Sequence, residues 1–213
     1  MGNRGIFITF EGGEGSGKST QIALLETFLG DQGIQCLRTR EPGGSSGAEL
    51  IRNLILQGDV ARWDALTEYL LFSAARRDHL TRTIEPALAQ GIWVICDRYI
   101  DSSRVYQGVV QNLPTEIIES IYHAISNGLE PDLTLVLDIP VKDGLNRAEK
   151  RKSIENRFEN KGEAFHEHVR QAFLDLARQN PGRCHILDAD MPIGDLQHLI
   201  QKYISDRFLL KGV

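Results

Sequence analysis

The stretch Gly12-Gly13-Glu14-Gly15-Ser16-Gly17-Lys18-Ser19 follows the apolar run Ile6–Phe10 and opens a segment with helical spacing over Ser19–Leu29. It fits G-x-x-x-x-G-K-[ST], and each part of that pattern has a physical task. The glycines let the backbone take positive φ and turn its N–H groups inward, forming a nest for phosphate oxygens at the positive end of the following helix. Lys18 is placed to reach the β and γ phosphates, and the Ser19 hydroxyl to ligate Mg2+. Strand, loop and helix in that order predict a nucleoside triphosphate site, with Gly12, Gly13, Glu14, Gly15, Ser16, Gly17, Lys18, Ser19 and Thr20 as its residues. The loop by itself does not name a phosphate acceptor, because switches, motors and small-molecule kinases share it.

Outward from this loop, short β-branched runs at Ile6–Phe10, Gln35–Thr39, Trp93–Asp97, Leu133–Asp138 and Cys184–Leu187 read as five strands. Helical spacing marks Ser19–Leu29, Leu66–Gln90, Pro114–Asn127, Phe165–Arg178 and Ile193–Phe208. Strands alternating with helices need crossover connections. That predicts an α/β fold with a five-stranded parallel sheet covered by helices on both faces. With 213 residues and no repeat or linker, one domain is expected. Ligands in such sheets bind at the carboxyl ends of the strands, which directs attention to residues 11–20, 40–44 and 97–107.

A hydrophobic content of 41% with 25% charged residues excludes disordered and coiled-coil classes. The net charge of −5 creates no field that would gather nucleic acid or an anionic membrane, so any anion must be met by local groups. The apolar runs are too short to span a bilayer and no signal-peptide pattern is present, so a cytoplasmic protein is expected. Cys36, Cys96 and Cys184 are odd in number and widely spaced, which suits free thiols better than a disulfide framework or a zinc site. His166 and His168, two apart on a helix, point in different directions and are expected at the surface.

Asp97 ends the Ile92–Cys96 run, so its carboxylate should project beside the phosphate loop as a magnesium partner. Arg40, Arg52, Arg76, Arg77, Arg98 and Arg104 gather near the expected rim of an acidic protein. Guanidinium groups bind phosphate oxygens in a planar, bidentate way, so a monophosphate acceptor explains several of them together. A second basic set, Arg147, Lys150, Arg151, Lys152 and Arg157, follows the fourth strand and reads as a lid over about 147–160 that brings positive charge to a transferring phosphoryl group. A GTP-hydrolysing switch would need a guanine-reading N-K-x-D. The nearest stretch, Asn160-Lys161-Gly162-Glu163, ends in Glu.

Several motifs then arrive in a specific order: Phe10-Glu11-Gly12, Thr39-Arg40-Glu41-Pro42-Gly43-Gly44, Leu71-Phe72-Ser73-Ala74-Ala75-Arg76, Asp97-Arg98-Tyr99-Ile100-Asp101-Ser102-Ser103, Tyr106-Gln107-Gly108, Pro131-Asp132-Leu133-Thr134 and Arg157-Phe158-Glu159. In this order the chain resembles the bacterial thymidylate kinase family over nearly its whole length. The resemblance implies transfer of the γ-phosphate of Mg-ATP to dTMP, giving dTDP for dTTP synthesis, by a homodimer. It implies that Phe72 stacks on thymine, Arg76 hydrogen-bonds a base carbonyl, and Arg98 with Arg52 holds the acceptor phosphate. Glu41 and Pro42 would lie between acceptor and donor, and Ser103 and Gln107 would line the base pocket. Tyr106 would lie against the deoxyribose and Arg147 near adenine. Glu14 in the loop, with Arg151 in the basic segment, resembles the branch whose catalytic arginine comes from the lid; Arg157 is the second choice for that role. The sequence departs from the family after Gly108, reading Val109-Val110-Gln111-Asn112.

Overall fold

β1 (Phe7–Gly12) is buried along its whole length and pairs in parallel with two neighbours, β3 (Trp93–Asp97) and β4 (Leu133–Asp138), as a central strand requires. β2 (Cys36–Arg40) lies outside β3 and β5 (Cys184–Asp188) outside β4, giving a parallel sheet in the order β2-β3-β1-β4-β5. The computed structural model describes residues 4–149, 157 and 161–210. The five strands and the parallel sheet expected from the sequence are therefore present.

Among the described residues the α-helices are α1 (Lys18–Asp31), α2 (Ser46–Leu56), α3 (Ala65–His79), α4 (Glu85–Ala89), α5 (Ile100–Ser103), α6 (Thr115–Ser126), α7 (Val141–Glu149), α8 (Glu163–Gln179) and α9 (Ile193–Phe208). Strand alternation sorts them onto two faces. Ile8, Phe10, Leu133, Leu135 and Leu137 meet Ile22, Leu25 and Leu29 of α1 and Leu196, Ile200 and Ile204 of α9. Phe7, Val94 and Cys96 meet α3, α4 and α6, while Val136 meets Val169 and Phe173 of α8. Both faces are covered, as expected.

The segment expected as one helix over 66–90 is instead α3, a π-helical stretch Leu80–Ile84, and α4. Pro86 has no N–H and cannot continue the α-helical ladder, and Glu85 N–H donates to Leu80 O, one residue wider than the α pattern. α2, α5 and α7 were not foreseen. α2 is amphipathic and is followed, after Gln57, by Gly58 with φ 94, and α7 overlaps the expected lid only at its last residues, 147–149. His166 is buried in α8 against the Phe165 ring, contrary to the surface position expected for it, whereas His168 is exposed. Register matters for the site: Asp97 pairs with both Phe10 and Arg40, so β2 and β3 finish level and β1 runs two residues further, to Gly12 at the start of the phosphate loop.

Candidate active site

The loop between β1 and α1 is held on two sides. Gly17 starts α1 with φ 89, and Gly15 takes φ 69 where an added Cβ would lie 1.9 Å from the Gly144 carbonyl oxygen of α7. Only glycine fits that contact. Lys18 Nζ folds back onto the loop, donating to Gly13 O at 2.9 Å, Gly12 O at 3.2 Å and Ser16 Oγ at 3.3 Å. Burial, reinforced by the nearby Arg98 charge, pulls the Lys18 ammonium down to about 8. Ser19 Oγ donates to Asp97 Oδ2 at 2.8 Å, so the first turn of α1 and the end of β3 present oxygen donors side by side. Among the described residues no group of three or more His, Cys, Asp or Glu could hold a metal. A Mg2+ at Ser19 and Asp97 would therefore take its remaining ligands from phosphate and water, which is the mode this ion prefers.

Two cavities meet at this loop. The first is lined by Gly15, Ser16, Gly17, Lys18, Ser19, Arg40 and Asp97. The second, about 190 Å³, is lined by Pro42, Phe72, Arg76, Tyr99, Ser103, Tyr106 and Gln107. That is several times the ~30 Å³ a water occupies in the liquid, and gives room for a single ring. Glu14, Glu41, Arg52 and Arg98 line both, so the wall between the cavities carries two arginines and two carboxylates.

Arg98 is held firmly on that wall. It takes φ 66, a conformation that costs a non-glycine residue about 1–2 kcal/mol, and its N–H donates to Phe10 O at 2.9 Å. Its guanidinium donates to Glu14 Oε1 at 2.8 Å and Ser102 Oγ at 3.2 Å and lies over the Tyr106 ring at 5.4 Å. Burial alone would lower its pKa, but Tyr106, Glu14, Glu11 and Asp97 more than offset this and keep it charged. Arg52 donates to Pro42 O at 2.5 Å, tying α2 to the loop after β2. In the second cavity Arg76 is 1% exposed; its Nε donates to Glu41 Oε2 at 2.7 Å and its Nη2 to Ser103 Oγ and Tyr99 O. Its Nη1 is buried without a hydrogen-bond partner among the described residues. A buried donor of this kind needs an acceptor, which a water or a ligand entering the cavity supplies.

Three supporting residues escaped the sequence reading. Glu11, fully buried at the end of β1, accepts from Tyr99 N at 2.8 Å, Ser102 N at 3.2 Å and Ser102 Oγ at 2.6 Å, and so anchors the turn that carries Arg98. Burial pushes its carboxyl up to about 7 against the opposing pull of Arg98. His79 bridges Thr39 and Glu41 from α3, at 2.7 and 3.2 Å. Glu68 is completely buried in α3. The available signal was a charged residue inside an apolar pattern, visible at Glu11 and Glu68 but silent about partners.

Two of the arginines expected at the rim fall elsewhere. Arg77 donates to Ile125 O, and Arg104 pairs with Asp101, Glu119 and Glu130 beside α6, so neither belongs to the rim where the sequence placed them. Arg147 donates to Ala189 O at 3.3 Å at the turn before α9, and Thr20 is exposed in the first turn of α1. Arg157 is 1% exposed and donates to Glu68 Oε2, Ile55 O, Asp59 O and Val60 O, which commits it to the α2–α3 connection. Arg151 and most of the expected lid, 150–156 and 158–160, lie outside the described residues.

A parallel sheet with a phosphate loop after its central strand, an aspartate opposite that loop's serine, and an arginine wall leading to a ring-sized pocket defines a P-loop kinase of the nucleoside-monophosphate class. The sequence model of the thymidylate kinase family matches residues 10–200. The chain is 50% identical to a thymidylate kinase from Afipia carboxidovorans, over 96% of its own length and 90% of that protein's. It is 48% identical to one from Caulobacter vibrioides over 96% and 98%. The crystal structure of thymidylate kinase from Ehrlichia chaffeensis matches with a TM-score of 0.75 at 32% identity, covering 94% of this chain and 99% of that one. The chain belongs to the thymidylate kinase family.

Proposed function

We propose that this protein transfers the γ-phosphate of ATP to dTMP, forming dTDP and ADP in the cytoplasm, as one domain with a lid near 147–160. The observation that carries this reading is the wall shared by the two cavities, where Arg98 and Arg52 stand between a triphosphate cradle and a ring-sized pocket. A monophosphate bound there would face the end of a triphosphate, and positioning of that pair supplies most of the catalysis in phosphoryl transfer. The second pKa of a phosphate monoester is about 6, so the attacking oxygen is largely anionic at neutral pH and needs no strong base. Asp97 with Ser19 is therefore assigned to Mg2+, which supplies charge neutralisation on the phosphates when bound. Lys18 would leave its loop carbonyls for the β and γ oxygens, and Arg98 would hold the acceptor phosphate with Glu14 beside it. Phe72 would stack on the base, and the orphaned Nη1 of Arg76 would donate to a base carbonyl. Arg151 is the lid arginine by resemblance.

The same reading includes a second copy of the chain. Leu50 and Leu54 on α2 and Leu66 and Leu70 on α3 are exposed at one-turn spacing on two helices packed against each other. A homodimer through this face fits them; light scattering should give twice the chain mass, and a monomer mass that persists at high concentration refutes it. For the reaction itself, phosphorus NMR of ATP with dTMP should show dTDP and ADP rising together. Release of inorganic phosphate without dTDP would overturn the assignment.

A further inference from the structure

Gln107 lines the acceptor cavity, and its Nε2 donates to Glu68 Oε1 at 2.8 Å. Gln111 Nε2 donates to the same oxygen at 2.7 Å, and Arg157 Nη1 donates to Glu68 Oε2 at 2.5 Å. Glu68 and Arg157 are both buried, so this cluster is fixed from several sides. A carboxylate accepts hydrogen bonds and cannot donate them. The nitrogen of Gln107 must therefore face Glu68, which leaves Oε1 as the amide atom for the cavity. Arg76, lining the same cavity, contributes the unpartnered Nη1 donor. A donor and an acceptor presented together complement the O4 and N3–H edge of thymine or uracil. Cytosine presents the inverse, an N4 amino donor beside an N3 acceptor.

We propose that Glu68 is a specificity-determining positioning residue, which fixes the Gln107 amide so that the cavity reads an N3–H and rejects cytosine. Glu68 acts through Gln107, with Arg157 setting which oxygen faces which partner. The departure after Gly108 then has a role, since Gln111 occupies the same carboxylate oxygen as Gln107. This inference rests on the acceptor reading given above.

Arg157 makes the consequence of Glu68→Gln specific. The new amide must turn its oxygen to Arg157 and its nitrogen to Gln107, so Gln107 must turn over and present its own nitrogen to the cavity. The test uses the full chain with ATP and two acceptors in competition, dTMP and 5-methyl-dCMP, which keeps the methyl group constant. A ratio of kcat/KM values from one mixture does not depend on how much enzyme is folded. E68Q should lower the dTMP preference by about tenfold or more, with KM for ATP unchanged. Glu68→Asp keeps the anion and hence the preference, even where overall activity falls. Should E68Q fail to fold, E68M/R157M removes both charges together, imposes no amide orientation, and should also lower the ratio. An unchanged ratio in these variants, or an equal fall in E68D, overturns the proposal while leaving the functional reading intact. A wild-type enzyme that does not phosphorylate dTMP overturns both.

Discussion

Replacing Arg76 by Met removes a guanidinium that is 1% exposed and bonded to Glu41 at 2.7 Å. Breaking a buried ion pair from one side costs about 3–5 kcal/mol, because the remaining charge is left without compensation. Glu41 retains His79 Nδ1 at 3.2 Å, so the lower end, about 3 kcal/mol, is the expected loss of stability in urea unfolding. Domains of ordinary stability, roughly 5–15 kcal/mol, survive that. Ligand binding gives the second magnitude. The Nη1 donor left without a partner costs about 1–3 kcal/mol in the free protein and is satisfied when a base carbonyl arrives. Loss of Arg76 should therefore weaken dTMP binding roughly 5- to 150-fold in calorimetry. A dTMP analogue whose base lacks the C4 oxygen closes the cycle. Wild type should lose the same factor on that analogue, and R76M should lose nothing further. Equal binding of both ligands by the wild type, or an undiminished gap in R76M, would refute the reasoning.

Three further outcomes follow from the site. Gly15→Ala must both adopt φ 69 and displace the Gly144 carbonyl 1.9 Å away, so it should cost more than the ~1–2 kcal/mol of the left-handed conformation alone and abolish measurable ATP binding. Lys18, held near 8 in the free protein against an ordinary value of 10.5, binds fewer protons folded than unfolded between those values. Its contribution to stability should therefore rise with pH across that window, while the ATP Kd climbs toward about tenfold per unit above pH 8, and K18M should flatten both slopes. Arg157→Ala should lower the melting temperature because it unpairs buried Glu68, whereas Arg151→Ala should lower kcat at unchanged melting temperature; the reverse pattern would exchange their roles.

Much of this was readable before any coordinates. The strands from Phe7 to Asp188 stand within two residues of the apolar runs, because a buried parallel strand is a continuous hydrophobic stretch between breakers. The phosphate loop was legible because its chemistry demands glycine, lysine and serine at fixed spacing. Long-range pairing was not. Arg76, Arg77, Arg98 and Arg104 look alike in sequence, yet Arg76 and Arg98 line cavities while Arg77 and Arg104 bind α6. Only the fold decides which carboxylate each arginine meets. Arg157 shows the same limit, since a basic residue in a basic segment turned out to be a buried partner of Glu68, 89 positions away. Glu11 and His79 support the site through the turn and loop they hold, and no local pattern announces such partners.

The most direct test of the central claim is phosphoryl transfer from Mg-ATP to dTMP, dUMP, UMP, CMP, AMP, GMP and thymidine, following the diphosphate or monophosphate formed. Strong preference for dTMP, weaker use of dUMP and no use of thymidine is the predicted result, since the arginine wall requires an acceptor phosphate and the cavity reads an imide edge. Preferred transfer to a purine monophosphate, or to thymidine itself, would contradict it.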